Sequence, residues 1–233
     1  MQSGNKILSL MQPTYFPWLG YFNLIKQSDI FVLYDTVQLT KRSWQVRNKI
    51  KSNNKELYLT IPICKTDHRD DLLINQAEIS YNIDWVSKHL NSIKHSYLKT
   101  PYFNEIYPIL ENILLSKPQY LTDITISLIL EFTKMLDINT EIILSNNIKY
   151  TGKKDKALVS ICKELKADNY LSVKGSMEYI LEGKNLFEIN NINLLWHKYT
   201  HPVYKQINGD FISHMGIIDA LFNIGPEKVK NLI

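Results

Sequence analysis

Residues 7–38 read ILSLMQPTYFPWLGYFNLIKQSDIFVLYDTVQ, and the way this stretch folds decides the class of the chain. Ile7–Gln12 is a short apolar run that reads as a buried strand. Trp18–Gln27 places Leu19, Phe22, Leu24 and Ile25 on the apolar face of a helix, and Phe31–Gln38 reads as a second strand. Strand, helix and strand within about thirty residues make a parallel βαβ unit. The expected fold is α/β, with a mixed or mostly parallel sheet and flanking helices.

Outward from this unit, Trp44–Lys51 and Glu56–Ile63 flank the turn formers Ser52–Asn54 and read as a hairpin, with Pro62 at its end or edge. Between about 84 and 137 the apolar period turns helical, with Asp84 and Thr122 as expected N-terminal caps and breaks at Pro101 and Pro118. Strand patterns return at Thr140–Leu144, Asn169–Val173 and Ile192–Tyr199, around a helix at Lys154–Leu165. No linker rich in glycine, serine or proline separates these parts. The expectation is a single α/β domain over 1–233 with a helical insertion at about 84–137.

Composition narrows the function classes. A 45% hydrophobic share supports a substantial core, and a net charge of +4 is too mild to demand nucleic acid but suits an anionic small molecule. Cys64 and Cys162 are too far apart for a disulfide framework or a paired metal-ligand spacing, which points to reduced thiols and a cytoplasmic location. The apolar run before Gln12 and Pro13 is too short for a signal-peptide core. No window approaches the ~18 apolar residues of a spanning helix, so no membrane insertion is expected.

In an open α/β sheet, ligands settle beyond the carboxyl ends of the strands, and Gln12–Gly20 occupies the first such loop. Pro13 and Pro17 stiffen it, Gly20 permits close approach, and the helix start offers N–H groups to an anion. Tyr15, Trp18 and Tyr21 carry flat faces with polar handles, suited to stacking on a sugar or base, although the same aromatics would serve equally to cap the core. Asp35, near the end of the second strand, suits a general base or an amine-binding carboxylate. Lys41, Arg42 and Arg47 suit phosphates, in a chain with only three arginines, and Gln38, Trp44 and Asn48 lie among them.

Towards the other end, LWHKYTHPVYKQINGDF carries His197, His201, Tyr204 and Gln206. His201, held extended before Pro202 and following a strand, sits where a site loop is expected and can move protons near neutrality. Asp219, between Ile217, Ile218 and Leu221, must be buried with a partner or face the site. The G-x-x-x-x-G-K-[ST], G-x-G-x-x-G, H-E-x-x-H and G-x-S-x-G motifs are absent, and TGKKD (Thr151–Asp155) lacks the spaced glycine of a phosphate loop.

MQPTYFPWLGYF, FVLYDTVQLTKRSWQVRNKI, YLSVKG, HPVYKQINGDF and DALFNIGPE, in this order and spacing, resemble the WbqC-like family of bacterial proteins, often encoded among genes for O-antigen and other surface polysaccharides. The family's S-G-x-G-x-x-D-Y-L segment is altered here. Ser172, Gly175 and Tyr179 remain, while Val173 and Lys174 replace the glycine stretch and Met177 and Glu178 the usual basic-acidic pair. The resemblance implies an enzyme that attaches a small acyl or aminoacyl group, such as glycine, to the amine of a nucleotide-linked amino deoxysugar. In that reading Asp35 or His201 removes an ammonium proton, Lys41, Arg42 and Arg47 hold the diphosphate, and Tyr15, Trp18 and Trp44 stack on sugar or base. Gln12, Gln38, Asn48, Tyr204 and Gln206 read hydroxyls and amides, and Ser172 and Asp219 complete the set.

A looser likeness sets Pro13–Leu24 beside the G-x-F-x-P-x-x-x-G-H loop of nucleotidylyltransferases and pantothenate synthetase. Tyr21 stands in place of the second histidine, which argues against direct adenylyl transfer, while the likeness itself makes ATP-driven amide synthesis a runner-up. A non-catalytic nucleotide-sugar binding or assembly protein is another. Expected partners are the nucleotide sugar and its acyl or aminoacyl donor; no metal is indicated, no cofactor is named, and a homo-oligomer is left open.

Overall fold

ILSLM, IFVL, EIIL, NYLS and NLLW form the parallel strands β1 (Ile7–Met11), β2 (Ile30–Leu33), β5 (Glu141–Leu144), β6 (Asn169–Ser172) and β7 (Asn193–Trp196). β3 (Arg47–Ser52) and β4 (Lys55–Thr60) make a separate antiparallel hairpin. The computed structural model describes residues 5–40, 42–65, 71–176, 180 and 184–233. These fold as two compact units, each assembled from three stretches of chain: 1–12, 23–35 and 139–200 in the first, 13–22, 36–138 and 201–233 in the second.

The first unit holds the five-stranded sheet, in the order β5-β2-β1-β6-β7, with Leu8 opposite both Ile30 and Tyr170. Continuous apolar runs suit strands covered on both faces, and every residue of β2 and β6 is buried. Helices α1 (Leu19–Lys26), whose second half lies in this unit, α5 (Asp155–Glu164) and α6 (Lys184–Ile189) supply the crossovers. Leu8, Val32, Leu158, Ile161, Tyr170 and Phe187 share its core. Chain order runs outward from β1 on both sides, so the sheet has its topological switch point between β1 and β6.

β2 ends at Leu33, five residues short of the expected strand end at Gln38. The Asp35 amide turns back to the Leu33 carbonyl (3.2 Å) and the Ser145 hydroxyl (3.1 Å) instead of extending a ladder. Residues 34–38 therefore do not continue the strand, and Gln38 forms an isolated bridge with Leu73.

The second unit packs the hairpin with α2 (Trp85–Tyr97), α3 (Phe103–Leu115), α4 (Leu121–Met135) and α7 (Ile217–Lys230). The helical period expected at about 84–137 is thus present, and its helices share a core with both the early bend and the last helix. Phe16 and Phe22 lie against Phe132, while Tyr97 and Phe103 stack on Phe222. Asp84 caps α2 by accepting the Ser87 amide at 3.1 Å. Thr122 does not cap α4: the helix begins one residue earlier, and the Asp123 carboxylate accepts the Tyr120 amide. α7 is broken at Gly225 (φ 78°), where a Cβ would come within 2.4 Å of the Tyr102 ring.

Candidate functional site

The proline-braced loop closes as a tight bend centred on Phe16, whose φ of 45° puts a bulky aromatic in the left-handed region. Such a conformation costs about 1–3 kcal/mol and persists only where its surroundings over-determine it. Here they do. The Tyr15 amide donates to the Trp44 carbonyl (3.0 Å), Asn48 Nδ2 donates to the Phe16 carbonyl (2.7 Å), and the Ile217 amide donates to the Pro17 carbonyl (2.8 Å). Gly216 passes so close that a Cβ would lie 2.9 Å from the Phe16 oxygen.

The bend presents Trp18. Its indole lies across the first turn of α1, where a Cβ on Gly20 would be 2.1 Å from the ring. The imidazole of His201 stacks on it at 6.0 Å and 11°, and His214 leans on both rings, 5.1 Å from Trp18 and 4.6 Å from His201. His201 Nδ1 donates to the Pro202 carbonyl (2.9 Å) and Nε2 accepts the His214 amide (3.2 Å), which defines a neutral ring protonated at Nδ1. Partial burial, together with the neighbouring His214, lowers the His201 pKa and favours that neutral form.

Asp219, fully buried, anchors the segment that carries His201. Its carboxylate accepts from the hydroxyls of Tyr97 (2.7 Å) and Tyr204 (2.7 Å) and from Gln206 Nε2 (2.8 Å), while burial raises its pKa. Gln206 also pairs with the Ile212 backbone in both directions, at 2.9 Å each. Tyr204, Gln206 and Asp219 thus satisfy one another, and their polar atoms hold the loop in shape.

Of the other aromatics in the bend, Tyr15 and Tyr21 are buried, and that burial keeps their phenols protonated. Tyr15 bonds through its hydroxyl to His89 Nδ1 (3.1 Å). Asn48 spends its amide on Phe16 and its oxygen on the Lys49 amide. These three side chains build the bend from within instead of facing outward, because each is closed off by core packing or backbone bonds.

The hairpin brings a second aromatic group to the surface. Trp44 and Tyr58 are about half exposed and stacked at 6.3 Å and 23°, with the Arg47 guanidinium carbon 5.0 Å from the Tyr58 ring centre. Arg42 is exposed with a φ of 53°, Gln38 is exposed, and Lys41 lies outside the described residues.

In the sheet unit, Gln12, Asp35 and Ser172 fall at or just beyond the carboxyl ends of β1, β2 and β6, and Gln12 and Ser172 flank the switch point. Asp35 is 2% exposed, and its Oδ1 accepts the Ser145 hydroxyl at 2.7 Å. His197, buried, bonds through Nε2 to Asn23 Oδ1 (2.6 Å) as a satisfied polar residue. A recess of about 770 Å³ opens by Asn169, Phe187 and Asn193, at the amino ends of β6 and β7, and holds none of the candidate residues. Among the described residues, no group of three or more His, Cys, Asp or Glu side chains is placed to hold a metal ion.

The pattern of the WbqC-like protein family matches residues 12–231, nearly the whole chain. The chain belongs to the WbqC-like protein family. It is also 30% identical over 224 residues, covering 95% of each chain, to the uncharacterised protein Rv1507c of Mycobacterium tuberculosis. No solved structure matches it.

For this WbqC-like chain, sequence reasoning named Trp18, Gly20, His201, Trp44 and Arg47 in the positions just described. It did not single out His214, Tyr58, Ser145 or His89. His214 could have been found from its φ-tolerant setting before Met215 and Gly216, since two histidines thirteen residues apart on one loop can meet when the loop doubles back. Tyr58 was legible as the cross-strand partner of Lys49, diagonal to Arg47. Nothing local signals Ser145 or His89, whose partners are distant in sequence.

Proposed function

We propose that this WbqC-like protein is an enzyme that acylates or aminoacylates the amine of a nucleotide-linked amino sugar. The observation that carries the reading is the Trp18–His201–His214 layer, an indole and two imidazoles assembled on a strained, multiply clamped bend. An indole face suits the apolar side of a pyranose ring, and a neutral imidazole beside it suits removal of a proton from the sugar ammonium. His201 Nε2 becomes a base by releasing the 3.2 Å bond from the His214 amide, the longer of its two. The freed amine attacks the acyl carbon of an activated donor, the new C–N bond forms, and the donor's leaving group departs with its bonding pair and takes up the second proton shed by the nitrogen.

The test is turnover of UDP- or dTDP-linked amino sugars with acyl and aminoacyl donors, followed by mass spectrometry. A product heavier by the acyl group, lost in His201→Ala, supports the reading. Saturable binding without product supports instead a non-catalytic nucleotide-sugar binding protein, a reading favoured by the occupation of both His201 nitrogens.

A further inference from the structure

We infer that Trp44, Tyr58 and Arg47 form a stacking subsite for the base of a nucleoside diphosphate, a deepening that rests on the nucleotide-linked reading above. Large aromatic rings are normally covered, yet Trp44 and Tyr58 stand 50% and 43% exposed. They are not loose. The two rings lie within 23° of parallel, and Arg47 covers part of Tyr58 from 5.0 Å. The Trp44 backbone is tied to the bend through the Tyr15 amide. A preformed pair of flat faces is sequence-tolerant towards any planar ring, which is how single bases are held by stacking.

Polar detail selects an anionic partner over a purely apolar one. Arg47 Nε is buried and has no hydrogen-bond partner among the described residues, an uncommon state for a guanidinium N–H. Register places Arg47, Lys49 and Lys51 on one face of the hairpin with Tyr58. Lys49 is paired with Glu56, and Lys51 is buried against the carbonyls of Gly209 and Asp210, so Arg47 is the cation on that face whose Nε is still to be matched. A base on the rings sets its diphosphate beside the Arg47 guanidinium, the cation that already lies against Tyr58.

The experiment is calorimetric titration of the full chain with UDP, dTDP and the free nucleosides uridine and thymidine, in wild type, Trp44→Ala, Tyr58→Ala and Arg47→Gln, with melting curves to confirm folding. Binding by wild type with a loss of about five- to hundred-fold in the two ring variants, the span typical of removing one stacked base, supports the subsite. Arg47→Gln should weaken the diphosphates and leave the nucleosides unchanged. Nucleoside diphosphates that bind wild type and both ring variants equally overturn the subsite while leaving the nucleotide-linked reading intact. No binding to wild type overturns both. If the rings instead cover a second copy of the chain, Trp44→Ala lowers the sedimenting mass and leaves nucleotide affinity unchanged, which also overturns it.

Discussion

His89 shows how one residue sets a pH limit on the fold. It is buried beside Trp85, its Nδ1 bonded to Tyr15 and its ring hydrogen-bonded to the Thr60 backbone, and burial lowers its pKa to about 4. Unfolded, it returns to about 6.5. Between these values the unfolded chain binds the extra proton, so stability falls as pH drops from about 6.5 to 4, by up to roughly 3 kcal/mol. Urea midpoints at pH 7, 5.5 and 4.5 should trace that slope, and His89→Gln should flatten it while starting lower at pH 7. A parallel slope in the variant would assign the loss to other groups. Asn48 acts on the same scale: Asn48→Ala removes the donor that holds the Phe16 carbonyl and should cost about 1–3 kcal/mol by urea denaturation. An Asn48→Ala midpoint equal to wild type would show that the remaining bonds suffice to hold the bend.

At the scale of elements, α1 and the bend before it divide stability from function at Gly20. Alanine there improves helix propensity by about 1 kcal/mol, but its Cβ would overlap the Trp18 indole, 2.1 Å away. Trp18 is only partly buried and can swing aside, so Gly20→Ala should keep or raise the melting temperature. It should also remove the ring-current shift of Trp18 on the His201 imidazole protons and lower ligand affinity or turnover at least tenfold. An unchanged His201 spectrum would show that the stack tolerates the methyl group. The same elements show what a sequence can reveal. β1, α1, the hairpin and the helices between 84 and 137 follow local periodicity, and all were legible. The end of β2 was not, because a 110-residue hydrogen bond from Ser145 to Asp35 decides it. The roles of Tyr15, Asn48 and Tyr204 were hidden for a similar reason: residue type marks a polar handle, while only the fold shows that His89, Phe16 and Asp219 take it.

The whole molecule is threaded so that neither unit is continuous in sequence. Expectation of a single domain with a helical insertion followed from the missing linker, and the chain enters the sheet unit three times and the helical unit three times. Residues 36–138 hold the hairpin and three helices, and by local pattern alone they look excisable. The packing argues otherwise. Phe132 is sealed by Phe16 and Phe22, Tyr97 and Phe103 by Phe222, and the Tyr97 hydroxyl donates to Asp219, all supplied from outside that stretch. Removing 13–22 and 201–233 would expose three large rings and leave Tyr97 without its buried acceptor, losses of several kcal/mol against a typical total of about 5–15. A 36–138 fragment should therefore show helical circular dichroism without a cooperative thermal transition and should bind a hydrophobic dye. Adding peptide 201–233 should restore only part of the amide-exchange protection, because 13–22 still covers Phe132. A fragment that melts cooperatively by itself would mean that the hairpin and helices carry an independent core and that the threaded segments serve the site alone.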